Sequence, residues 1–290
     1  MSVSFLLFAV LSAIALLLFL VLRWKISAFI SLLIVSIYVG ILCGMPLNSI
    51  LDSMQKGMGG TLGFVATVVG LGAIFGQMLE SSGGALSLAH TLIRKFGARR
   101  APTAMAITGF LVAIPVFFDV GFIILIPLVY AMSRDTGKSL LYYGIPLLAG
   151  LAVTHSFIPP TPGPVAVAEI IQAQLGWVIL FGFILGIPVA FLAGPVWGKY
   201  IARRIKIPAP DESNPEAYNE GESPSSLPSF RLIAILIGLP LMLIVLNTFT
   251  KVLTDKMIVK QTPITDIVRF LGHPFTALII ATLAAIWLLG

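Results

Sequence analysis

One carboxylate stands near the middle of a long apolar stretch of this sequence. Residues 106–132 read AITGFLVAIPVFFDVGFIILIPLVYAM, and Asp119 is the one charged residue among them. Burying a carboxylate at the centre of a membrane is costly, and such groups usually face a cavity or a partner. Two interpretations stay open. Asp119 binds a ligand or a proton, or its side chain caps a helix that begins at Val120.

A second unusual stretch, THSFIPPTPGPVAVAE, covers residues 154–169 and has four prolines between positions 159 and 164. Proline lacks an N–H donor and clashes with the preceding helical turn. We therefore predict a broken helix, with a first half that ends near His155 and a second that starts near Pro164. His155 is suited to shuttling a proton, or it stays neutral and hydrogen-bonds to carbonyls that the break frees. Thr161 offers a hydroxyl in the loop.

Two further carboxylates lie at the ends of apolar segments. Glu80 follows the run 61–79 within LESSGGA, where Ser81–Gly84 predict a turn, and Glu169 follows the proline-rich stretch. We interpret Glu80 as an interfacial carboxylate, with a role in ion coupling as the alternative. Glu169 is interpreted as a carboxylate at the end of a loop.

The composition decides what kind of protein carries these groups. The 290 residues are 58% hydrophobic and 10% charged, whereas soluble domains have about 25% charged residues. The sequence therefore predicts an all-α polytopic membrane protein. Its net charge of +6 lies in short clusters between apolar segments, as in cytoplasmic loops, and does not indicate a nucleic-acid partner. We find no zinc-ligand spacing, phosphate-binding loop or nucleophile–base pair, so neither a metal site nor an enzyme is predicted.

The distribution of basic residues predicts how the apolar segments are threaded. These segments lie at 3–22, 26–44, 61–79, 103–132, 141–170, 177–198, 230–250 and 273–290. If 103–132 enters and returns on one side, the four basic clusters at 23–25, 94–100, 134–138 and 199–206 all face the cytoplasm, and a loop at 45–60 faces out. The Lys/Arg bias sets orientation, so we predict a re-entrant hairpin of two half-helices with its tip at Pro115–Gly121.

The remaining sequence predicts an inverted repeat. Residues 207–229 have five prolines and five carboxylates and predict a cytoplasmic linker. Residues 1–206 form a first repeat of five crossings plus the hairpin, and 230–290 begin a second. An odd number of crossings inverts the second copy, as in secondary transporters. We expect the second repeat to be incomplete in this sequence, and a complete protein to have about 450 residues.

Both predicted half-helix starts are suited to an anion. Free N–H groups and the positive end of the helix dipole lie there. An anionic substrate fits near Val120 and Gly121, and near residues 164–166.

Three long motifs resemble the gluconate permease (gluconate:proton symporter) family of the ion-transporter superfamily. They are GGTLGFVATVVGLGAIFGQMLESSGGALSLAHTLIRKFGARRAP, IPVFFDVGFIILIPL and GIPLLAGLAVTHSFIPPTPGPVAVA. The resemblance is strong over residues 1–206 and looser over 230–290. It implies two inverted repeats, each with a re-entrant hairpin and a broken helix, and an elevator movement. It places the hairpin tip and broken-helix loop at the substrate, at Pro115, Phe117, Phe118, Asp119, Val120, Gly121, His155, Pro160, Thr161 and Gly163.

The resemblance further implies a proton symporter of the inner (plasma) membrane for gluconate or a related sugar acid. Candidate proton-coupling residues are Asp119, His155 and Glu80. Coupling to sodium stays open, no cofactor is implied, and elevator carriers are often homodimers. Two alternatives remain: a cation-coupled carrier of dicarboxylates or citrate, and a truncated membrane fragment that does not transport.

Overall fold

The computed structural model describes residues 2–97, 100–210 and 227–290. All regular secondary structure in these ranges is helical, as expected of an all-α membrane protein. Most of the predicted linker, residues 211–226, lies outside the described residues. The helices are α1 Val3–Leu18, α2 Ala28–Leu42, α3 Leu47–Ser81, α4 Gly84–Phe96, α5 Ala101–Val112, α6 Phe118–Thr136, α7 Leu141–Phe157, α8 Pro162–Ile170, α9 Leu175–Phe191, α10 Trp197–Arg204, α11 Phe230–Asp255, α12 Pro263–Leu271 and α13 Pro274–Leu289.

Several helical segments are long and apolar enough to cross a membrane, so the chain is a multi-pass membrane protein. Within the described ranges there are five, or six if α12 and α13, which are bent by 65°, form one span. The five are Val3–Arg23, Leu47–Ser81, Leu141–Ile170, Leu175–Arg204 and Phe230–Asp255. Each overlaps a predicted apolar segment. The number of crossings and the side that each loop faces stay predictions.

Some predicted segments differ from the observed helices. Segment 26–44 forms α2, which has 15 residues and is shorter than the ~20 residues that a span requires. The expected loop at 45–60 is wrong, because α3 begins at Leu47 and runs for 35 residues. Apolar residues recur here at helical spacing, at Leu47, Ile50, Leu51, Met54 and Met58. This periodicity favours a helix although the glycines that follow are poor helix formers. An α-helix of that length is about 50 Å long.

Two helices, α4 and α12, were not predicted. Short amphipathic helices do not produce the long apolar runs by which membrane segments are recognised. Helix α4 follows Gly83, whose φ of +75° is left-handed, and it ends before Gly97 at φ +70°. Glycine adopts that conformation without steric cost, so the expected turn after Glu80 is confirmed. Helix α12 starts with a capping box in which the Thr262 side chain accepts from the Thr265 backbone N–H.

The chain divides into two compact units, Met1–Phe64 and Val65–Gly290, which are described separately. In the first unit, α1 and α2 pack around Ala13, Leu20 and Val35. Gly40 of α2 lies directly against Ile50, since a Cβ there would come within 2.7 Å of the Ile50 side chain.

Helix α7 is the central element of the second unit and contacts α5, α6, α9 and α10. Tyr143, Leu147 and Leu151 along it are fully buried. Helix α9, a π-helical turn at Leu192–Val196 and α10 run on as one segment beside it. Glycines face α7 along this whole segment: Gly182 lies against Phe157 and Ile158, Gly186 against Val153, and Gly194 and Gly198 against Pro146.

Helices α5 and α7 come into backbone contact where they cross. A Cβ on Gly150 would overlap the Ala106 carbonyl and lie 2.7 Å from the Phe110 nitrogen, and one on Gly109 would lie 2.5 Å from the Leu147 oxygen. Small residues permit such backbone contact between membrane helices. Because each glycine faces the backbone of the other helix, no side-chain rotation can make room for a larger residue.

We expect Gly150→Ala to destabilise the protein by about 1–3 kcal/mol, the usual cost of overpacking. The thermal unfolding midpoint of the purified protein in detergent measures this effect. Gly238→Ala on α11 is the matched control, because a Cβ there meets nothing within 4 Å and alanine is the better helix former. Equal midpoints for the two variants would contradict the close crossing.

Candidate functional site

The predicted hairpin segment consists of two helices separated by a short buried break. Helix α5 ends at Val112 and α6 begins at Phe118. Ala113, Ile114 and Val116 in the break are at most 4% exposed. Proline at position 115 has no N–H to continue the α5 ladder. The helical break is therefore confirmed, although it covers residues 113–117, and Phe118–Gly121 belong to the first turn of α6 rather than to an irregular tip.

Asp119 does not cap the second helix of the pair. The N-cap of α6 is Phe117, with extended backbone angles (φ −61°, ψ 149°) and no side-chain capping bond. Asp119 is the second residue of the helix and is exposed. The capping interpretation is therefore wrong. Its carboxylate has neither a hydrogen bond nor an ion pair with the residues that the structure describes. A carboxylate in the first turn interacts favourably with the helix dipole, which leaves the ligand- or proton-binding interpretation standing.

The first helical turn of α6 offers an uncompensated set of backbone donors. Residues Phe118, Asp119 and Val120 are the first three of the helix, and the N–H groups of a first turn have no partner inside their own helix. Gly121 closes the first internal bond, from its N–H to the Phe117 carbonyl at 2.9 Å. The end of α6 beside the break thus presents free N–H donors and the positive end of the helix dipole, both of which favour an anion.

The predicted broken helix is also confirmed, with slightly different bounds. Helix α7 ends at Phe157 and α8 begins at Pro162, and the Pro159–Pro160 peptide bond between them is cis. Thr161 is buried and occupies the N-cap position of α8, but its hydroxyl donates to the Ile158 carbonyl at 2.7 Å. That bond closes the loop on itself.

The start of α8 has fewer donors than the start of α6. Pro162 and Pro164 have no N–H, and Val165 already donates to the Thr161 carbonyl at 3.3 Å. Gly163 is exposed, and its N–H is the donor that remains in this turn. The first turn of α6 therefore offers an anion more free N–H donors than residues 164–166 do.

The two breaks meet at His155. Its ring lies edge-on to that of Phe117 with a centroid distance of 6.2 Å. Its Nδ1 is buried and has no hydrogen-bond partner in the structure. The alternative in which this histidine bonds to freed carbonyls is therefore wrong for the residues described. Unpaired buried nitrogens are uncommon in folded proteins, and the Ser31 and Thr108 hydroxyls are also buried and unpaired among the described residues. A substrate-binding role of His155 therefore stays a prediction.

Contacts of the α7 residues just before His155 hold this junction together. The Thr154 hydroxyl donates to the Phe110 carbonyl at 2.9 Å, in a buried bond from α7 to α5. Gly121 lies against Leu151, since a Cβ there would come within 3.0 Å of the leucine side chain. The first turn of α6 therefore packs directly on the last two turns of α7.

Helix α3 touches both breaks through two glycines, a feature that the sequence analysis missed. A Cβ on Gly76 would overlap the Pro115 carbonyl, and one on Gly72 would come within 3.1 Å of the Pro160 ring. The two glycines are four residues apart and so share one face of the helix. Their spacing was the one sequence signal for a shared contact face. Glycine at position 70 shows that residue type alone is not enough, because a Cβ there would meet nothing within 4 Å.

The other predicted coupling residue does not join this junction. Glu80 is partly buried in the last turn of α3, one turn beyond Gly76, and its carbonyl accepts from the Gly83 N–H at 2.9 Å. In the part of the chain that the structure describes, no hydrogen bond or ion pair connects Glu80 or Asp119 to His155, and no group of three His, Cys, Asp or Glu side chains could hold a metal ion.

Comparison with known proteins places this architecture in a family. A family model described as GntP family permease matches residues 5–290. The chain is 39% identical to the low-affinity gluconate transporter of Escherichia coli K12, over 95% of this chain and 60% of that protein. It is 39% identical to the Gnt-II system L-idonate transporter of the same strain (96% and 62%) and 38% identical to the gluconate permease of Bacillus subtilis 168 (94% and 62%).

The chain thus spans about three fifths of the length of these curated relatives. No solved structure matches it. All three relatives are named as transporters or permeases, in agreement with the expectation of a membrane carrier and not an enzyme. From the match of the family model over nearly its whole length, the chain belongs to the GntP family of permeases.

Proposed function

We propose that the protein is a secondary active transporter that imports gluconate or a related sugar acid together with protons. The observation that carries the proposal is the junction of two helix breaks at the unpaired His155 nitrogen and the open first turn of α6. Broken helices whose N-termini face a site near the middle of the membrane are typical of secondary transporters. The names of the relatives supply the substrate class.

The two ends of a sugar acid suit the two parts of this junction. In our proposal the carboxylate lies at the N–H groups of Phe118–Val120, where the helix dipole favours an anion. The hydroxyl groups face His155, whose Nδ1 has no other partner. This arrangement needs no cation from the protein. It selects a polar anion over an apolar one, because an apolar ligand would leave the buried His155 nitrogen without a hydrogen bond.

Asp119 supplies a physical link between substrate and proton. Its carboxylate belongs to the same helical turn that we assign to the substrate anion. Two negative charges in one site repel each other, so a bound anion favours the protonated form of Asp119. Because linkage is reciprocal, protonation of Asp119 strengthens anion binding. Substrate and proton then bind together, which is the requirement for symport.

The membrane topology completes the proposal. The α5–α6 pair is a re-entrant hairpin, the basic clusters and the linker face the cytoplasm, and residues 230–290 begin an inverted second repeat. The substrate site moves across the membrane with the α5–α8 region in an elevator movement, and the protein forms homodimers.

Replacing His155 tests the substrate end of the proposal. We expect His155→Ala to raise the half-saturating gluconate concentration about two- to tenfold, since a hydrogen bond to a neutral hydroxyl contributes about 0.5–1.5 kcal/mol. Uptake of labelled gluconate into proteoliposomes is the measurement. His90→Ala is the matched control, because His90 is exposed on α4. An unchanged concentration dependence in His155→Ala would exclude this residue from the site.

Replacing Asp119 tests the coupling. We expect Asp119→Asn to lose uptake driven by an imposed proton gradient while it retains exchange of labelled for unlabelled gluconate, because asparagine still tolerates the anion but takes up no proton. Asp135→Asn at the other end of α6 is the control. If uptake by Asp119→Asn still follows the proton gradient, Asp119 is not the coupling group. If no variant and no wild-type protein takes up any sugar acid, the proposed function itself fails.

Replacing Gly76 tests whether α3 positions the site. A Cβ there forces the Pro115 carbonyl away, and a displacement of about 1 Å can reduce a rate by about a hundredfold. We expect Gly76→Ala to reduce gluconate uptake by about tenfold or more, while Gly70→Ala leaves uptake unchanged because a Cβ at position 70 meets nothing within 4 Å. Equal uptake by the two variants, at equal amounts in the membrane, would show that this contact does not position the site.

A further inference from the structure

A basic cavity lies apart from the helix junction, where the start of α7 meets α10. Its volume is about 510 Å³, and the cations that line it are Lys138, Lys199, Arg203 and Lys206. No acidic residue lines it among the described residues, although Asp135 lies two residues before its edge. None of these four cations forms an ion pair within the described chain. Four positive charges that share one cavity repel each other, so the arrangement is stabilised by a bound anion.

Hydrogen bonds between the start of α7 and the residues after α10 fix the walls of the cavity. The Ser139 hydroxyl donates to the Ile205 carbonyl at 3.0 Å and accepts from the Ile207 N–H at 3.1 Å. The Leu140 N–H donates to the Ile207 carbonyl at 2.8 Å. Gly198 lies against Pro146, where a Cβ would come within 2.9 Å of the proline ring. The start of α7 and the end of α10 are thus fixed relative to each other without a ligand.

Aromatic residues place this cavity at the edge of the membrane. Trp197 and Tyr200 of α10 stack with centroids 5.3 Å apart, and they are 53% and 44% exposed. Exposed tryptophan and tyrosine at the end of a membrane helix mark the level of the lipid headgroups. The segment just before them exposes Phe191, Leu192 and Val196, which is the apolar surface expected against acyl chains.

Two other aromatic contacts show how the cations are directed. Lys138 Nζ lies 4.5 Å from the centroid of the Tyr142 ring, which also lines the cavity. Arg204 lies at the same distance from the centroid of the Tyr200 ring, with which it forms a cation–π contact. Lys199, Arg203 and Lys206 have no such contact among the described residues and remain available to a ligand.

We propose that this cavity binds the phosphate of an anionic phospholipid headgroup. Lysine and arginine are the side chains that recognise phosphate, lysine as a point charge and arginine through its planar fork. Basic pockets between membrane helices at headgroup level bind anionic lipids. The site is separate from the sugar-acid site, and it would anchor α7 and α10 to the membrane surface.

Native mass spectrometry of the delipidated chain in non-ionic detergent tests the proposal. Phosphatidylglycerol and phosphatidylethanolamine with identical acyl chains are the probes. We expect the wild type to bind phosphatidylglycerol in preference. Each basic residue near the surface contributes about 1 kcal/mol to anionic-lipid binding, so Lys199→Gln/Arg203→Gln should bind phosphatidylglycerol about thirty-fold more weakly.

The matched control is Arg23→Gln/Lys25→Gln, which removes two positive charges just after α1. It should bind phosphatidylglycerol like the wild type, and Lys199→Arg should retain binding because the charge is kept. An equal loss of phosphatidylglycerol binding in both double variants would show that the lipid responds only to the net charge of the protein, and would overturn the proposal. Unfolding midpoints of all variants show whether a loss of binding arises from misfolding, and a loss confined to a misfolded Lys199→Gln/Arg203→Gln would overturn it too.

Competition distinguishes the source of the anion. Inorganic phosphate and gluconate at millimolar concentration are added to the wild type with phosphatidylglycerol bound. Retention of the lipid supports a headgroup site. Displacement by inorganic phosphate identifies a site for a soluble anion, and displacement by gluconate identifies a second substrate site; either result overturns the lipid assignment. Since the sugar-acid site is elsewhere, none of these outcomes depends on whether the chain transports gluconate.

Discussion

Backbone polar groups that leave a helix inside a membrane must be covered by protein or by a watery cavity, and the second unit is organised around that constraint. Two helices break, after Val112 and after Phe157. The breaks cover each other, because the Phe117 and His155 rings meet and the Thr154 hydroxyl satisfies the Phe110 carbonyl. Glycines at the α5–α7 crossing and on α3 then allow the surrounding backbone to approach. The same cover leaves open one end of α6, where the N–H groups of Phe118–Val120 have no partner inside their own helix.

Much of this arrangement is predictable from the residues that forbid a helix. Proline lacks an N–H and clashes with the preceding turn, and Pro115 and the four prolines between 159 and 164 predict both breaks to within a few residues. Proline alone does not decide the outcome, because Pro127 and Pro146 lie inside α6 and α7. Hydropathy likewise predicts the long apolar helices. These features depend on local chemistry, and the structure confirms them.

The features that sequence reasoning missed depend on what lies opposite a residue. Asp119 is a favourable N-cap by type, but α6 starts two residues earlier than predicted and places it at the second helical position. His155 turns to an aromatic ring rather than to the carbonyls of its own break. Gly70, Gly72 and Gly76 are equivalent in the sequence, and only the packing shows that the last two lie against the helix breaks.

The π-helical turn at Leu192–Val196 changes the direction in which the following residues point. A π turn contains one residue more than an α-helical turn, and one extra residue rotates everything after it by about 100° around the helix axis. Helix α9 exposes apolar side chains, whereas α10 directs lysine and arginine toward the start of α7. The apolar surface of α9 and the basic surface of α10 therefore point in different directions around the axis of one continuous helical segment. A chain with a regular α-helix through this point would present that basic surface in another direction, away from the cavity.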